Sequence, residues 1–263
     1  MLLQANHLYK SYKPKGEFSI SGCGTAIIEK KNDNQKLNFD FAVKNISLTV
    51  DKSEIISILG SNGSGKSTLL KILAGLMEPD FGEVLYKKVP VYNSIKRLVA
   101  GHDKIKLIHQ NFNLFPNISL SENIAYSLRF HTKDFQEKRL ADLLQLCDLE
   151  TIKDKLPRNA SGGEQQRTAI ATALAADAEV LLFDEPFANL DVFNKSELKS
   201  HIKTIATKST VGIVFVTHDA HDALSISDKL MVMNNGSFVQ TDNPENIYFK
   251  PSTVYISPAV RFS

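Results

Sequence analysis

The chain has little of what marks secreted, membrane-spanning or nucleic-acid-binding proteins. Its two cysteines, Cys23 and Cys147, are far apart and match no metal-ligand spacing, which fits a reducing compartment. No apolar run approaches the ~18 residues of a membrane-spanning helix, and we expect no secretion signal from the first residues. The 31 Lys and Arg nearly balance the 29 Asp and Glu. The resulting net charge of +2 argues against a nucleic-acid partner, because such proteins usually carry a basic excess.

The composition that remains is that of an ordinary globular protein. Hydrophobic residues make up 43% and charged residues 23% of 263 positions, enough for one large domain or two small ones. Short apolar runs at 55–59, 180–183 and 213–216 predict buried strands of a parallel sheet. Helical patterns separate these runs, so the sequence predicts an α/β fold.

The N-terminal part is predicted to be antiparallel β structure. Residues 2–12 predict an edge strand, and the alternation of Ile46, Leu48 and Val50 predicts a half-buried strand. Residues 13–42 lie between them and are rich in Lys, Asn, Gly and Ser. We expect a long hairpin there, with strands at 25–29 and 37–41 joined by a polar turn at 31–35.

Two further helical regions are predicted in the middle of the chain. Residues 119–149 have helical spacing of apolar residues, and Cys147 falls on the apolar face, where we expect it in the core. An Ala-rich helix is predicted from Ser161 to Ala176. A strand is predicted at 105–108, whereas the residues just before it indicate no clear element.

Residues Gly60–Thr68 carry the most specific pattern in the chain. They read Gly-Ser-Asn-Gly-Ser-Gly-Lys-Ser-Thr and lie between an apolar strand and a predicted helix. This spacing directs backbone N–H groups towards an anion at the positive end of a helix. Lys66 can reach the β- and γ-phosphates of a nucleotide, and the Ser67 hydroxyl can bind Mg²⁺. The segment therefore predicts a nucleotide-binding phosphate loop.

Two acidic residues end the next buried strand. Asp184 follows Val180–Phe183 and can hold the Mg²⁺ shell beside the phosphate loop. Glu185, pointing elsewhere, can orient and deprotonate a water molecule that attacks the γ-phosphate. An apolar strand followed by Asp-Glu is a weak signal alone, because solvated acids at a strand end are common.

A second potential anion site begins at Ser161. This residue is a good helix N-cap, and Gly162 and Gly163 leave backbone N–H groups open. One nucleotide seldom needs two such sites in one subunit. We therefore expect a head-to-tail pair in which this helix end closes over the partner's γ-phosphate, although an ordinary capped helix would give the same local pattern.

Together, these segments resemble the nucleotide-binding domains of ABC (ATP-binding cassette) ATPases. Gly60–Thr68 resembles the Walker A loop, Val180–Glu185 the Walker B strand, and Ser161–Glu164 the signature motif. The signature departs from the family pattern at Ala160, where Leu is usual, and at Glu164, where Gln is common. Four further features lie at their expected places: Gln110 (Q-loop, 44 residues after Lys66), Ala188–Asp191 (D-loop), His218 (switch histidine) and Tyr12 (adenine-stacking aromatic). The long segment after Tyr12 leaves Phe18 or Phe41 as alternatives for that stacking role.

The resemblance implies a fold, ligands and residue roles. The fold would be that of a P-loop NTPase, a single domain over 1–263 with a RecA-like parallel sheet, an N-terminal antiparallel β-subdomain and an inserted helical subdomain at about 113–165. ATP would contact Tyr12, Gly60, Ser61, Asn62, Gly63, Ser64, Gly65, Lys66, Ser67, Thr68, Gln110 and His218. Catalysis would fall to Glu185, His218 and Lys66, and Mg²⁺ would bind Ser67, Gln110 and Asp184. The second subunit's ATP would meet Ser161, Gly162, Gly163, Glu164 and Asp191.

The resemblance also implies partners. The loop Phe112–Pro116 is expected to meet a membrane permease, although core packing of Phe112 and Phe115 is an equal alternative. The chain would then be cytoplasmic and peripherally attached to the inner face of the membrane. Asn243–Tyr248 with Pro251 resembles the ending of polyamine, iron, sulfate and molybdate importer subunits. An importer ATPase is the favoured hypothesis; an exporter or lipid-transport ATPase, and a soluble ABC protein of DNA repair or translation, are the alternatives.

Overall fold

The computed structural model describes residues 1–12, 19–20, 26–27, 41–92, 100–109, 111–188 and 190–252. Gln110, Asn189 and the polar turn predicted at 31–35 lie outside these ranges. For residues 19–20 and 26–27 the structure describes the backbone only. These residues form two short antiparallel strands, β2 (Ser19–Ile20) and β3 (Ala26–Ile27). β3 lies within the strand predicted at 25–29, and β2, earlier in the chain, pairs with it. Residues 37–40 of the expected partner lie outside the described ranges, so that pairing stays a prediction.

The N-terminal strand is an interior strand, so the predicted edge position is wrong. β1 (Leu3–Ser11) pairs antiparallel with β4 (Phe41–Val50) on one side and with β6 (Phe81–Tyr86) on the other. β7 (Val89–Pro90) pairs with β6 and completes the sheet among the described residues. The second partner was missed because β6 has little of the alternation that reveals a half-buried strand.

A second, mostly parallel sheet forms the centre of the molecule. Its strand order is β12-β11-β5-β10-β9-β8. The bounds are β5 (Ile55–Leu59), β8 (Ile105–Ile108), β9 (Val180–Asp184), β10 (Gly212–Thr217), β11 (Lys229–Asn234) and β12 (Ser237–Asp242). Neighbours from β11 to β8 are parallel, and β12 is antiparallel to β11. The continuous apolar runs are buried because both faces of the sheet are covered.

Helices cover the sheet and extend beyond it. Their bounds are α1 (Lys66–Leu73), α2 (Leu120–Leu128), α3 (Lys133–Leu146), α4 (Gly162–Ala175), α5 (Val192–Ser209), α6 (Ala220–Ile226) and α7 (Pro244–Phe249). The region predicted as helical at 119–149 is thus two helices, and Thr132 is the N-cap of the second. In the described ranges, no helix combines the length and apolar character needed to cross a bilayer.

The two faces of the central sheet contribute to different cores. Leu181 and Phe183 of β9 pack in a cluster with α4 and α5, whereas Leu182 packs with α1 and the antiparallel sheet. Cys147, at the end of α3, is fully buried in the first cluster, as predicted. Burial raises the pKa of its thiol to about 12, which leaves the sulfur as an inert part of the core.

Candidate active site

The chemistry-bearing residues meet at one edge of the parallel sheet. Gly60 follows β5, Asp184 ends β9 and His218 follows β10, and β10 lies between the other two strands. Parallel strands present their carboxyl ends at the same edge, which is where open α/β sheets bind ligands. The order of the strands therefore brings together residues that are as far apart in the sequence as Gly60 and His218.

The phosphate loop connects β5 to α1 in a shape that requires glycine at two positions. Gly63 and Gly65 have φ angles of +81° and +105°, in the left-handed region that favours glycine. A Cβ on Gly65 would also collide with the Ala42 carbonyl oxygen of β4. Lys66 is buried, and its Nζ donates to the carbonyl oxygens of Gly60 at 2.7 Å and Ser61 at 3.0 Å. The ammonium group is thus held by the loop that it follows.

A hydroxyl and a carboxylate lie together beside the loop. Ser67 Oγ donates to Asp184 Oδ1 at 3.1 Å, so two oxygen atoms from α1 and β9 face one position. Magnesium is bound in proteins by oxygen ligands, typically one or two carboxylates together with phosphate oxygens and water. The pair therefore fits the predicted Mg²⁺ site, to which Gln110, outside the described residues, was also assigned.

Glu185 and His218 form a second pair at the same edge. His218 Nδ1 lies 2.9 Å from Glu185 Oε2, and the carboxylate accepts the ring N–H. Glu185 has a φ of +53°, a sparsely populated conformation for a non-glycine residue that often occurs at functional sites. Its backbone N–H donates to the Val216 carbonyl at 3.1 Å. This turn directs Glu185 towards β10 and His218, whereas the preceding Asp184 contacts Ser67.

A cleft of about 880 Å³ opens over the phosphate loop. Tyr12 lines it; the residue is 63% exposed, and its hydroxyl lies 2.9 Å from Thr68 Oγ1. Phe41, one of the two alternative aromatics, lines the same cleft. Phe18, the other alternative, lies outside the described residues. Lys44 and the Asn235-Gly236 turn also line the cleft, which the sequence analysis did not predict. Only the Asn-Gly dipeptide gave a signal, and it predicts a hairpin rather than a ligand wall.

Ser161 is the N-cap of α4 and forms a capping box with Glu164. Ser161 Oγ accepts the Glu164 N–H at 3.2 Å, and Glu164 Oε2 accepts the Ser161 N–H at 2.8 Å. Ser161 is exposed and does not line the cleft over the phosphate loop. Gly162 lines a smaller cavity of about 140 Å³ with Asp184 and Glu185, beside the half-buried Phe112.

Asp191 is the N-cap of α5, and its carboxylate accepts the Asn194 N–H at 2.9 Å. Like Ser161 it is exposed. Of the residues assigned to the first nucleotide, those that line one cleft are Tyr12, Asn62, Gly63, Gly65, Lys66, Ser67 and Thr68. Those that are not among its lining residues are Gly60, Ser61, Ser64 and His218, and Gln110 lies outside the described part of the chain. The polar groups assigned to a second one, at Ser161, Glu164 and Asp191, do not line the same cleft.

The two phenylalanines of the loop Phe112–Pro116 differ. Phe112 packs against the core, whereas Phe115 is 49% exposed and meets Tyr126 edge-on at 5.0 Å. The buried Asn123 fixes this loop: its side-chain oxygen accepts the Phe115 N–H at 2.7 Å, and its amide donates to the Ser119 carbonyl at 2.9 Å. Sequence reasoning missed this residue. The only signal was a polar amide within an otherwise apolar helix face.

Comparisons with known proteins identify a family that the chain matches. The family model "ABC transporter" matches residues 43–188. A sulfate/thiosulfate import ATP-binding protein of Synechococcus elongatus is 38% identical over 82% of this chain and 62% of its own length. A spermidine/putrescine import ATP-binding protein of Spiroplasma citri is 35% identical over 88% of this chain and 65% of its own. The chain thus spans less than two thirds of the length of these relatives.

Two solved structures share the fold. One is cbiO1 of Clostridium perfringens, part of the ABC transporter complex cbiONQ, with a TM-score of 0.78 and 26% identity over 95% of this chain and 91% of the other. The second is the ATP-binding cassette MJ0796 as a dimer in a post-hydrolysis state with ADP and Pi. Its TM-score is 0.70, with 27% identity over 92% of this chain and 99% of that one.

Proposed function

Because the chain belongs to the ABC transporter family of ATP-binding proteins, we propose that it hydrolyses ATP to energise import through a separate membrane permease. One observation carries the proposal: Lys66, the Ser67–Asp184 pair and the Glu185–His218 pair converge on one sheet edge. Import is favoured because the relatives quoted above are import ATP-binding proteins. The transported substrate is left open, since sulfate and spermidine importers are matched about equally well.

The proposed reaction uses the two pairs separately. The backbone N–H groups of Gly60–Thr68 and the Lys66 ammonium hold the triphosphate, and Tyr12 stacks on the adenine. Ser67 and Asp184, with Gln110, hold Mg²⁺, which neutralises charge on the phosphates when bound. Glu185 accepts a proton from the water whose oxygen attacks the γ-phosphorus, and the bond to ADP breaks. His218 holds the Glu185 carboxylate in position.

The active unit proposed is a head-to-tail dimer. Ser161, Gly162, Gly163, Glu164 and Asp191 of one copy would face the ATP held by the other. The exposure of Ser161 and Asp191, away from the chain's own cleft, supports this arrangement. So does the dimeric state of the related cassette bound to ADP and Pi. Binding of two ATP molecules would close the dimer, and hydrolysis would open it.

The permease contact is assigned to the loop Phe112–Pro116. Phe115 offers an exposed aromatic ring there, on a loop that Asn123 holds in shape. The chain would accordingly be a cytoplasmic protein attached peripherally to the inner face of the membrane. Phe112 is reassigned to core packing, in keeping with its half-buried position.

The test is the Glu185→Gln variant with ATP and Mg²⁺. Gln keeps the shape of the side chain but cannot take up the proton, so we expect phosphate release to fall by roughly 10²–10⁴-fold with ATP binding retained. The variant should then accumulate as an ATP-bound dimer, measured by light scattering. Hydrolysis at the parental rate would contradict the assignment of Glu185, and absence of ATP hydrolysis by the parent would contradict the proposed function.

A further inference from the structure

Glu164 presents a problem for the proposed function, on which this inference rests. Its carboxylate is at the N-terminus of α4, where the partner's γ-phosphate is proposed to bind. A carboxylate and a phosphate carry like charges, and both would compete for the same positive helix end. The chain must therefore offset the charge of Glu164 if this helix end is to accept ATP.

Lys155 is positioned to offset the charge of Glu164. Its Nζ donates to Glu164 Oε1 at 3.1 Å and lies 3.4 Å from Oε2, so the ammonium faces both carboxylate oxygens. The backbone of Lys155 is fixed as well. Its N–H donates to the Ile152 carbonyl at 2.9 Å, and its carbonyl accepts the Leu120 N–H at 2.9 Å. The lysine is thus anchored by its main chain to the start of α2.

Other nearby groups are less suited to this task. Arg167 lies on the same helix, but its guanidinium donates to Glu197 at 3.0 Å. The Ser161 N–H donates to Glu164 Oε2 at 2.8 Å, which orients the carboxylate without adding a full positive charge. Partial burial works to raise the pKa of Glu164, but the Ser161 N–H, Lys155 and, last among them, the charge of Arg167 together outweigh it and lower the pKa. Glu164 is therefore ionised at neutral pH, and its charge persists.

We propose that Lys155 is a positioning residue for closure of the dimer: it neutralises Glu164 so that the signature motif can receive the triphosphate held by a second copy of this chain. The capping box and the ion pair then have separate tasks. The box holds Ser161 and the first turn of α4 in shape, and Lys155 makes the resulting charge compatible with an anionic ligand. Glutamine at 164 would keep the box without needing the lysine.

The experiment uses the Glu185→Gln variant of the whole chain as the parent and measures the ATP concentration that gives half-maximal dimer. In that parent we compare Lys155→Met, Glu164→Gln and the two combined. Met keeps most of the apolar stem of lysine, and Lys153→Met serves as a control for loss of an exposed lysine from the same segment. Melting temperatures verify that every variant folds.

We expect Lys155→Met to raise the required ATP concentration by roughly twofold to fivefold, the range of a partly exposed charge interaction. Lys153→Met should behave as the parent. Adding Glu164→Gln to Lys155→Met should restore the parental ATP requirement, which a purely structural role of Lys155 would not allow.

Two results would overturn the inference alone. In the first, Lys155→Met dimerises at the same ATP concentration as the parent. In the second, the double variant needs as much ATP as Lys155→Met does, which would mean that Lys155 acts through packing or its own contact. A parent that stays monomeric at saturating ATP would overturn the proposed dimer itself, and the role of Lys155 with it.

Discussion

The phosphate loop and the signature motif differ in how much of their surroundings the chain itself supplies. The phosphate loop lies between β5 and α1, and β4 and the Asn235-Gly236 turn close around it. The Gly236 N–H donates to the Ser64 carbonyl at 3.0 Å, and the Lys44 N–H donates to the Gly236 carbonyl at 2.7 Å. The signature motif has its own capping box and Lys155, and Ser161 remains exposed.

This difference fits the proposed division of roles, in which the phosphate loop binds the nucleotide and the signature motif closes the dimer. A loop whose conformation is fixed by contacts on several sides loses little conformational entropy when it binds a nucleotide within one chain. The capping box engages the N–H groups of Ser161 and Glu164, which stabilises the helix end without a ligand. It leaves the N–H groups of Gly162 and Gly163 for a partner's anion. The comparison therefore predicts that changes in the phosphate loop alter affinity in the monomer, and that changes in the signature motif alter association.

The largest effect is expected for Ser161→Arg. The long cationic side chain should fill the space required by the partner and abolish ATP-driven dimerisation, measured by light scattering in the Glu185→Gln variant. ATP binding by the monomer should be spared. Ser119→Arg is the matched control, because Ser119 caps α2 in an equivalent box with Glu122. Equal loss of dimer in both variants would show that helix capping, not the signature position, matters.

A smaller effect, on affinity, is expected for Lys66→Ala. Charge-assisted hydrogen bonds contribute about 1.5–3 kcal/mol, so ATP should bind roughly tenfold to a hundredfold more weakly in calorimetric titrations. Lys71→Ala removes an exposed lysine from the last turn of the same helix and should leave the affinity unchanged. If the two substitutions had equal effects, general charge would explain binding and the phosphate loop would lose its special role.

Tyr12→Ala should weaken ATP binding less. Stacking of a base on an aromatic ring contributes about 1–3 kcal/mol, and the 63% exposure of Tyr12 favours the lower end. We therefore expect roughly a fivefold loss, with Tyr12→Phe close to the parent. Phe41→Ala addresses the alternative: a larger loss there than at Tyr12 would assign the stacking role to Phe41.

The smallest effect concerns stability and pH. The lowered pKa of Glu164 means that its stabilising contribution is present above its ordinary value of 4.5 and is lost as the pH falls through the lower, folded value. Glu164→Gln should thus destabilise the chain slightly at pH 7, by less than about 1 kcal/mol. The difference should disappear in acid, as measured by chemical denaturation at several pH values. A difference that grew on acidification would contradict the assigned ion pair.

The parallel sheet was predictable because its strands are short apolar runs that need no partner to be recognised. The Ile55–Leu59 run and the glycine spacing after it indicate both a buried strand and the loop that follows. The interior position of β1 was not predictable, since pairing depends on β6, which lies far along the chain and lacks alternation. Register and partners are properties of the folded sheet.

Local patterns predicted the candidate site residues but not their pairing. The sequence distinguished Asp184 from Glu185 only by position, whereas the structure separates them through the positive φ at Glu185 and pairs each with a different partner. The Lys155–Glu164 pair was missed, although the Ser-x-x-Glu capping pattern could have indicated that the carboxylate at 164 is fixed. The position of Lys155 beside Glu164 has no such signal, because contacts across a loop leave no regular spacing in the sequence.

The central claim is that two copies of the chain enclose each triphosphate between Lys66 of one and Ser161 of the other. The most direct test is a crystal structure of the Glu185→Gln variant with ATP and Mg²⁺. The account predicts a γ-phosphate in hydrogen-bond contact with both residues, one from each copy. A nucleotide-loaded structure in which Ser161 faces open solvent, with Lys66 alone on the phosphates, would contradict it.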